Sequence, residues 1–221
     1  MPTEALLAVS ALVDILFVFC AARFGREWLL ATIAANLILV GIFGSALITI
    51  FGFTTNAGNV FYGCVFLATY FKIEGYGRAA GMHALYLGAS TILFFVILSR
   101  LGLQLIDVQL GQPGGPLGLL PFAPRVFMAS LVAYVFAQYV NVLLYDWIHL
   151  VTQGKWLWLR ANGANIISQL LDSSLFFSIA FFDLSGVVLI QSILVGWAIK
   201  TVVVLMGTPF LYLDTYVRKN R

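Results

Sequence analysis

The chain reads as an all-α, polytopic membrane helix bundle of about seven spans. Hydrophobic residues make up 62% of its 221 positions and charged residues only 10%, and the mean hydropathy is +1.00, well outside the range of a soluble domain. Apolar runs recur along the whole length with short polar breaks between them, and about 20 mostly apolar residues cross a bilayer core of about 30 Å as a helix. The twelve Lys and Arg are scattered, all but Lys200 at the ends of these runs, rather than gathered in one patch, so the net charge of +3 reads as topology and not as a nucleic-acid surface. Few residues remain for an aqueous part, and residues 1–221 are taken as one integral membrane domain.

The first run, 5–22, has no basic segment before it and no clear cleavage site, so it is a retained span rather than a signal peptide. The second covers 27–51 and carries Asn36, which in a span is expected to bond to a neighbouring helix. The third, 58–71, is short, and the fourth covers 79–99. After it comes "GLQLIDVQLGQPGGPLGLLPFAP", whose Gly and Pro residues break helices and whose length suits a lid or a partly embedded loop. The fifth, sixth and seventh runs cover 124–150, 164–182 and 185–213.

Orientation follows from the basic residues in the breaks. Arg23 and Arg26, Lys72 and Arg78, Lys155 and Arg160, and the tail with Arg218, Lys219 and Arg221 fall on one side, against Arg100 and Arg125 on the other. The first group belongs in the cytoplasm, which puts the C-terminus inside and the N-terminus outside. Trp28, Trp147, Trp156 and Trp158 sit near the cytoplasmic boundaries, where an amphipathic indole is at home.

Function should reside in the polar residues that interrupt these spans. Asn165, Gln169 and Asp172 follow the i, i+4, i+7 spacing of one helix face, with Ser168 beside them. Tyr134, Gln138, Asn141 and Tyr145 repeat that spacing in the fifth span, and the two faces are expected to meet. Lys200 lies near the middle of the seventh span, too deep to reach a boundary, so it needs a partner. An ionised group at mid-bilayer costs roughly 2.5–3.5 kcal/mol on insertion scales. Asp172 and Lys200 therefore either pair to hold the last two helices in register, or border a polar cavity in which Asp172 meets a substrate and Lys200 balances its charge. The amides on spans five and six exceed what one ion pair requires and favour the cavity.

No metal or cofactor site is expected. Cys20 and Cys64 lie in apolar segments, and His83 and His149 share no ligand spacing. The phosphate-loop pattern, G-x-S-x-G and H-E-x-x-H are all missing, which removes the simplest arguments for an ATPase or an intramembrane hydrolase, and the chain is read as a non-enzyme.

Several segments in order resemble one family. They are "FGREWLLATIAANLILV" (24–40), "NVFYGCVFLATYFKIEGYGRAAG" (59–81), "PRVFMASLVAYVFAQYVNVLLYDWI" (124–148), "GKWLWLRANGANIISQLLDSSLFFSIAFF" (154–182) and "KTVVVLMGTPFLYL" (200–213). Together they are similar to the vitamin uptake transporters, also called the queuosine precursor transporters, over about residues 24–213. The resemblance implies six core helices related to the substrate-binding components of energy-coupling-factor transporters, with 1–23 as an added first helix. It also implies import of a 7-deazaguanine base such as preQ0 or preQ1, and leaves open a homodimer or a separate energising module.

A guanine-like edge carries N1–H beside a 2-amino group, which a carboxylate such as Asp172 accepts side by side. Gln138, Asn141, Asn165 and Gln169 are candidates for the remaining ring groups. Arg160 matches the arginine of the family's "WLR" motif and, with Arg125, is a gate or topology residue. Glu74 matches an acidic position of many members and joins Lys200 as a charge partner or coupling group. The family pattern has Asp where this chain has Tyr70 and again where it has Asn141, so this member is short of two acids, which implies a neutral ligand such as preQ0, a different coupling, or another small heterocycle or vitamin as substrate.

Overall fold

The computed structural model describes residues 3–44, 46–110, 124–183 and 185–219. Seven helices run through them: α1 (Thr3–Phe24), α2 (Arg26–Phe43), α3 (Asn59–Tyr76), α4 (Arg78–Leu110), α5 (Pro124–Val151), α6 (Leu157–Ala180) and α7 (Gly186–Lys219), with a hairpin of β1 (Leu47–Ile50) and β2 (Phe53–Asn56) between α2 and α3. The helices alternate in direction, so the bundle has a hairpin end and an opposite end, where Gly25 and Gly77 reverse the chain at φ 123° and 80°.

The all-α reading holds for the bundle, but several boundaries move. Span two was expected to run to residue 51; α2 instead stops at Phe43 and the rest forms the hairpin, in antiparallel register from Leu47↔Asn56 to Ile50↔Phe53. The run "LITI", β-branched at three of its four positions, suits a strand, and Phe51 and Gly52 turn at φ 49° and 82°, the two positive values of a two-residue hairpin loop. At α3 the helix continues past 71 to Tyr76, so Lys72 is a buried helix residue rather than part of a break. Helix α4 continues past 99 to Leu110, which takes up the first part of the expected lid; residues 111–123 lie outside the described residues. Helix α6 begins at Leu157, so Arg160 lies inside it, and α7 carries Pro209 and reaches Lys219. Hydropathy marks the width of the apolar slab, whereas a helix continues for as long as its backbone bonds are made.

Helix α3 is the axis of the bundle. From Asn59 to Ile73 every residue except Phe61 is buried, and α3 packs on α1, α2, α4 and α7, while α5 packs on α4 and α6. Glycine permits one close approach, of α3 to α7: a Cβ on Gly63 would lie 2.9 Å from Cβ of Val203 and 3.2 Å from the Lys200 carbonyl oxygen. The outward surface is apolar, with Phe17, Phe94, Phe136, Ile97 and Ile190 all exposed, as lipid contact requires. Five helices, α1, α2, α4, α5 and α7, are long and apolar enough to cross a membrane; α3 and α6 fall short by that measure. These two carry most of the polar interior: α3 is enclosed by the others, whereas α6 keeps an apolar outer face with Ile166, Ile167 and Leu170 exposed.

Gly63→Leu is expected to wedge α3 from α7 and lower stability by about 1–3 kcal/mol, the usual cost of overpacking. A thermal-shift measurement in detergent checks this, with Gly102→Leu, whose Cβ meets nothing within 4 Å, leaving Tm unchanged.

Candidate functional site

Backbone contact between α3 and the α5–α6 pair is slight, and long polar side chains span the interval. They form a column in three layers. Nearest the hairpin, Lys200 Nζ donates to Asp172 Oδ2 at 2.6 Å and to Ser173 Oγ at 3.0 Å, while the Tyr62 hydroxyl donates to Asp172 Oδ1 at 2.6 Å. Both charged side chains are almost fully buried, and Nζ stands 4.8 Å from the Tyr62 ring centroid, within cation–π range. Two hydroxyls, of Ser173 and Tyr62, thus bond to the charge pair, which is what burying it demands.

One turn deeper, the Tyr70 hydroxyl donates to Asn141 Oδ1 at 2.7 Å, Ser168 donates to the same oxygen at 3.2 Å, and Gln138 Nε2 donates to Thr69 Oγ1 at 2.6 Å. The two positions that depart from the resembled family's pattern are therefore bonded to each other as a neutral pair. Tyr70 also stacks on Tyr145, with centroids 5.0 Å apart. In the third layer, at the opposite end, Arg160 forks onto both oxygens of Glu74 at 2.5 and 2.8 Å and donates to the Gly154 carbonyl at 2.9 Å; the Tyr145 hydroxyl adds a 2.6 Å bond to Glu74. This bidentate bond is the stronger form of an arginine–carboxylate contact, and it ties α3, α5 and α6 together.

Two side chains on the column stand apart. Asn165 and Gln169 are fully buried, yet the amide nitrogen and oxygen of each have no hydrogen-bond partner among the described residues. An unpaired buried amide atom costs about 1–3 kcal/mol, so four on one helix face leave the middle of the column with hydrogen-bonding capacity that the described residues do not meet. Beside the Asp172–Lys200 pair a cavity of about 30 Å³ runs to the foot of the hairpin, lined among others by Asn56, Asn59, Tyr62, Phe176 and Gly58. That is room for water and far too little for a heterocyclic base.

The structure brings Asp172, Lys200, Tyr70, Asn141, Gln138, Asn165, Gln169, Glu74 and Arg160 onto one column, but leaves Arg125 off it. Arg125 donates to Asp183 at 3.0 Å and to the Ile179 carbonyl at 2.6 Å, and it lies over the Phe182 ring, so it clasps the start of α5 to the end of α6. Tyr134, on the face predicted for α5, points instead to α4, where it donates to the Ala84 carbonyl. Sequence reasoning missed Tyr62, Thr69 and the Asn59–Thr55 bond at 2.8 Å. Tyr62, Thr69 and Tyr70 recur at seven- and eight-residue spacing, a signal that lay within the span expected over 58–71.

Asn36 meets the expectation of an interhelical bond, donating at 3.0 Å to Asp14 of α1, an intramembrane acid the sequence reading passed over. Among the described residues no group of three or more His, Cys, Asp or Glu could hold a metal.

Residues 56–213 match the family model described as "Putative vitamin uptake transporter". The chain is similar to a "Probable queuosine precursor transporter" of Bacillus subtilis (strain 168), at 33% identity over 186 residues that cover 82% of this chain and 79% of that protein. No solved structure matches it.

Lys200→Met is expected to destabilise the fold by about 3–5 kcal/mol because it strands a buried carboxylate. The double variant Lys200→Met with Asp172→Leu is expected to recover much of that loss. A double-mutant cycle from chemical denaturation measures the coupling, and additive effects would mean the two groups do not share one charge environment.

Proposed function

The chain belongs to the vitamin uptake transporter family, and from that premise we propose that it imports a 7-deazaguanine queuosine precursor, of the preQ0 or preQ1 type, by a secondary or facilitated route through the polar column. The similarity to a protein of that printed name supports the substrate class. The observation that carries the reading is the set of four unpartnered amide atoms on Asn165 and Gln169, on the face that ends in Asp172.

A primary amide complements the lactam edge of a guanine-type base: its oxygen accepts N1–H while its nitrogen donates to the ring carbonyl. Gln169 takes that role. Asp172 lies one turn further along α6, about 4.5 Å by helix rise, where its oxygens accept the 2-amino group while retaining Lys200 or Tyr62. Asn165 meets the five-membered side of the ring, and Tyr70 and Phe176 supply flat apolar cover. The Tyr70–Asn141 pair contributes no charge at the middle layer, which suits a neutral base better than a cationic one.

Loading requires a wider interior than the present cavity of about 30 Å³. The column suggests how access alternates. The cavity approaches Asp172 from the hairpin end, while Glu74, Arg160 and Tyr145 close the opposite end. Parting the Glu74–Arg160 fork would open that end once the substrate has filled the unpaired amides, the midplane logic of a carrier. With the basic residues of the breaks in the cytoplasm, the hairpin end faces outward and the fork inward, so the movement is import. Transport is assigned to this chain without an energising partner.

Cells that depend on an external precursor, expressing the protein, are expected to take up labelled preQ0 or preQ1. Gln169→Leu is expected to reduce uptake about tenfold or more, since one unmade bond to a buried polar group is worth about 1–3 kcal/mol. Full uptake by Gln169→Leu and Asp172→Asn together would refute the site. Uptake by the purified protein in liposomes tests whether it acts alone.

A further inference from the structure

Asp14 lies midway along α1, eleven residues from Thr3 and ten from Phe24. It sits on the floor of a groove of about 600 Å³ between α1 and α2, otherwise lined by Val9, Val13, Phe17, Ala31, Ala35, Leu39 and other mostly apolar side chains. This acid takes no part in the column. Its Oδ1 accepts from Asn36 Nδ2 at 3.0 Å. Its Oδ2 and the Oδ1 of Asn36 are both buried and have no partner, and Asn36 is 3% exposed.

With Asp14 ionised, this arrangement sets two hydrogen-bond acceptors unpaired in an apolar groove, one of them carrying a charge. No Lys, Arg or His among the described residues lies within ion-pair distance. The group facing it from α3 is the thiol of Cys64, a weak donor without charge. On α2 the polar neighbours are Asn36 and Thr32. On α7, the other helix packed against α1, Lys200 is held by Asp172, and Asp214 is engaged by Arg218 and Arg23. On α1 itself Glu4 and Arg23 lie at the two ends. A bare carboxylate at mid-bilayer with no counter-charge is the costly case.

A single proton removes every one of these penalties. Placed on Asp14 Oδ2, it donates to Asn36 Oδ1 while Asn36 Nδ2 keeps its bond to Asp14 Oδ1, closing a two-bond acid–amide ring with no charge. We propose that Asp14 and Asn36 form a proton-binding site in the α1–α2 groove, with Asp14 protonated in the conformation seen here and releasing its proton when α1 and α2 part enough to admit water. The step is one protonation, carboxylate plus proton to carboxylic acid, with no other reactant. It holds whatever organic molecule crosses the membrane, and it gives the added first helix a task that the transport column does not perform.

Infrared spectroscopy of the purified protein, with aspartate carboxyls isotopically labelled, tests it. The wild type at neutral pH is expected to show the carbonyl band of a protonated carboxyl group, and Asp14→Asn, which preserves the amide-like ring, is expected to lose it. Identical carboxyl bands in the two proteins would overturn the proposal. Should Asp14→Asn not be recovered folded, Asn36→Val must shift the same band, because it removes the acceptor of the proton. An unshifted band would equally overturn it.

Discussion

One ion pair in an environment without water constrains the rest of the bundle. Asp172 and Lys200 are carried on different helices, and each lies deep enough that neither can reach a polar boundary. Once they are paired, the register of α6 against α7 is set, because sliding either helix by one turn would leave two charges facing hydrocarbon or each other's backbone. Tyr62 then draws α3 to the same point, and Gly63 lets α3 approach α7 closely enough to do so. The buried pair adds little net stability over an apolar pair of similar shape. Its effect is to make the alternative packings much worse.

The same solvent explains why polarity is sorted as it is. A soluble protein places its polar residues outside; here the outer faces of α1, α4, α5 and α7 are apolar and exposed, and the amides, hydroxyls and charges gather inside. Helices α3 and α6, which bear most of them, are too polar to be recognised as spans by hydropathy, yet α3 is enclosed by the others and α6 turns its polar face inward. The layers also differ in completeness. Both charged layers are fully bonded, whereas the middle of the column retains Asn165 and Gln169 without partners. The column thus joins fully bonded ends to a middle with unmet hydrogen-bonding capacity, the contrast on which the proposed carrier route rests.

Much of the site was legible because helical spacing is a local property. Asn165, Gln169 and Asp172 share a face in any helix that contains them, and a lysine in the middle of an apolar run demands a partner wherever the chain folds. The Tyr70–Asn141 bond was not legible. Each residue by itself reads as a departure from the resembled pattern, and only the approach of α3 to α5 makes them complementary. The contacts of Arg125 were not legible for a related reason: a basic residue at a helix start has the same sequence signature whether it lines a pathway or clasps a turn, and its partners Ile179 and Asp183 lie more than fifty positions away.

The amino-acid sequence by itself determined that this is a membrane bundle, roughly where its helices lie, and which faces are polar, because composition and periodicity act residue by residue on transfer from water to lipid. Tertiary structure alone decided which polar faces meet, that α3 is the axis, that residues 47–56 form a hairpin and not the end of a helix, and that Asp14 is left with an amide and no cation. Those outcomes depend on contacts between positions far apart in the chain, where the cost of an unpaired group inside lipid can be assessed only once every competing partner has been placed.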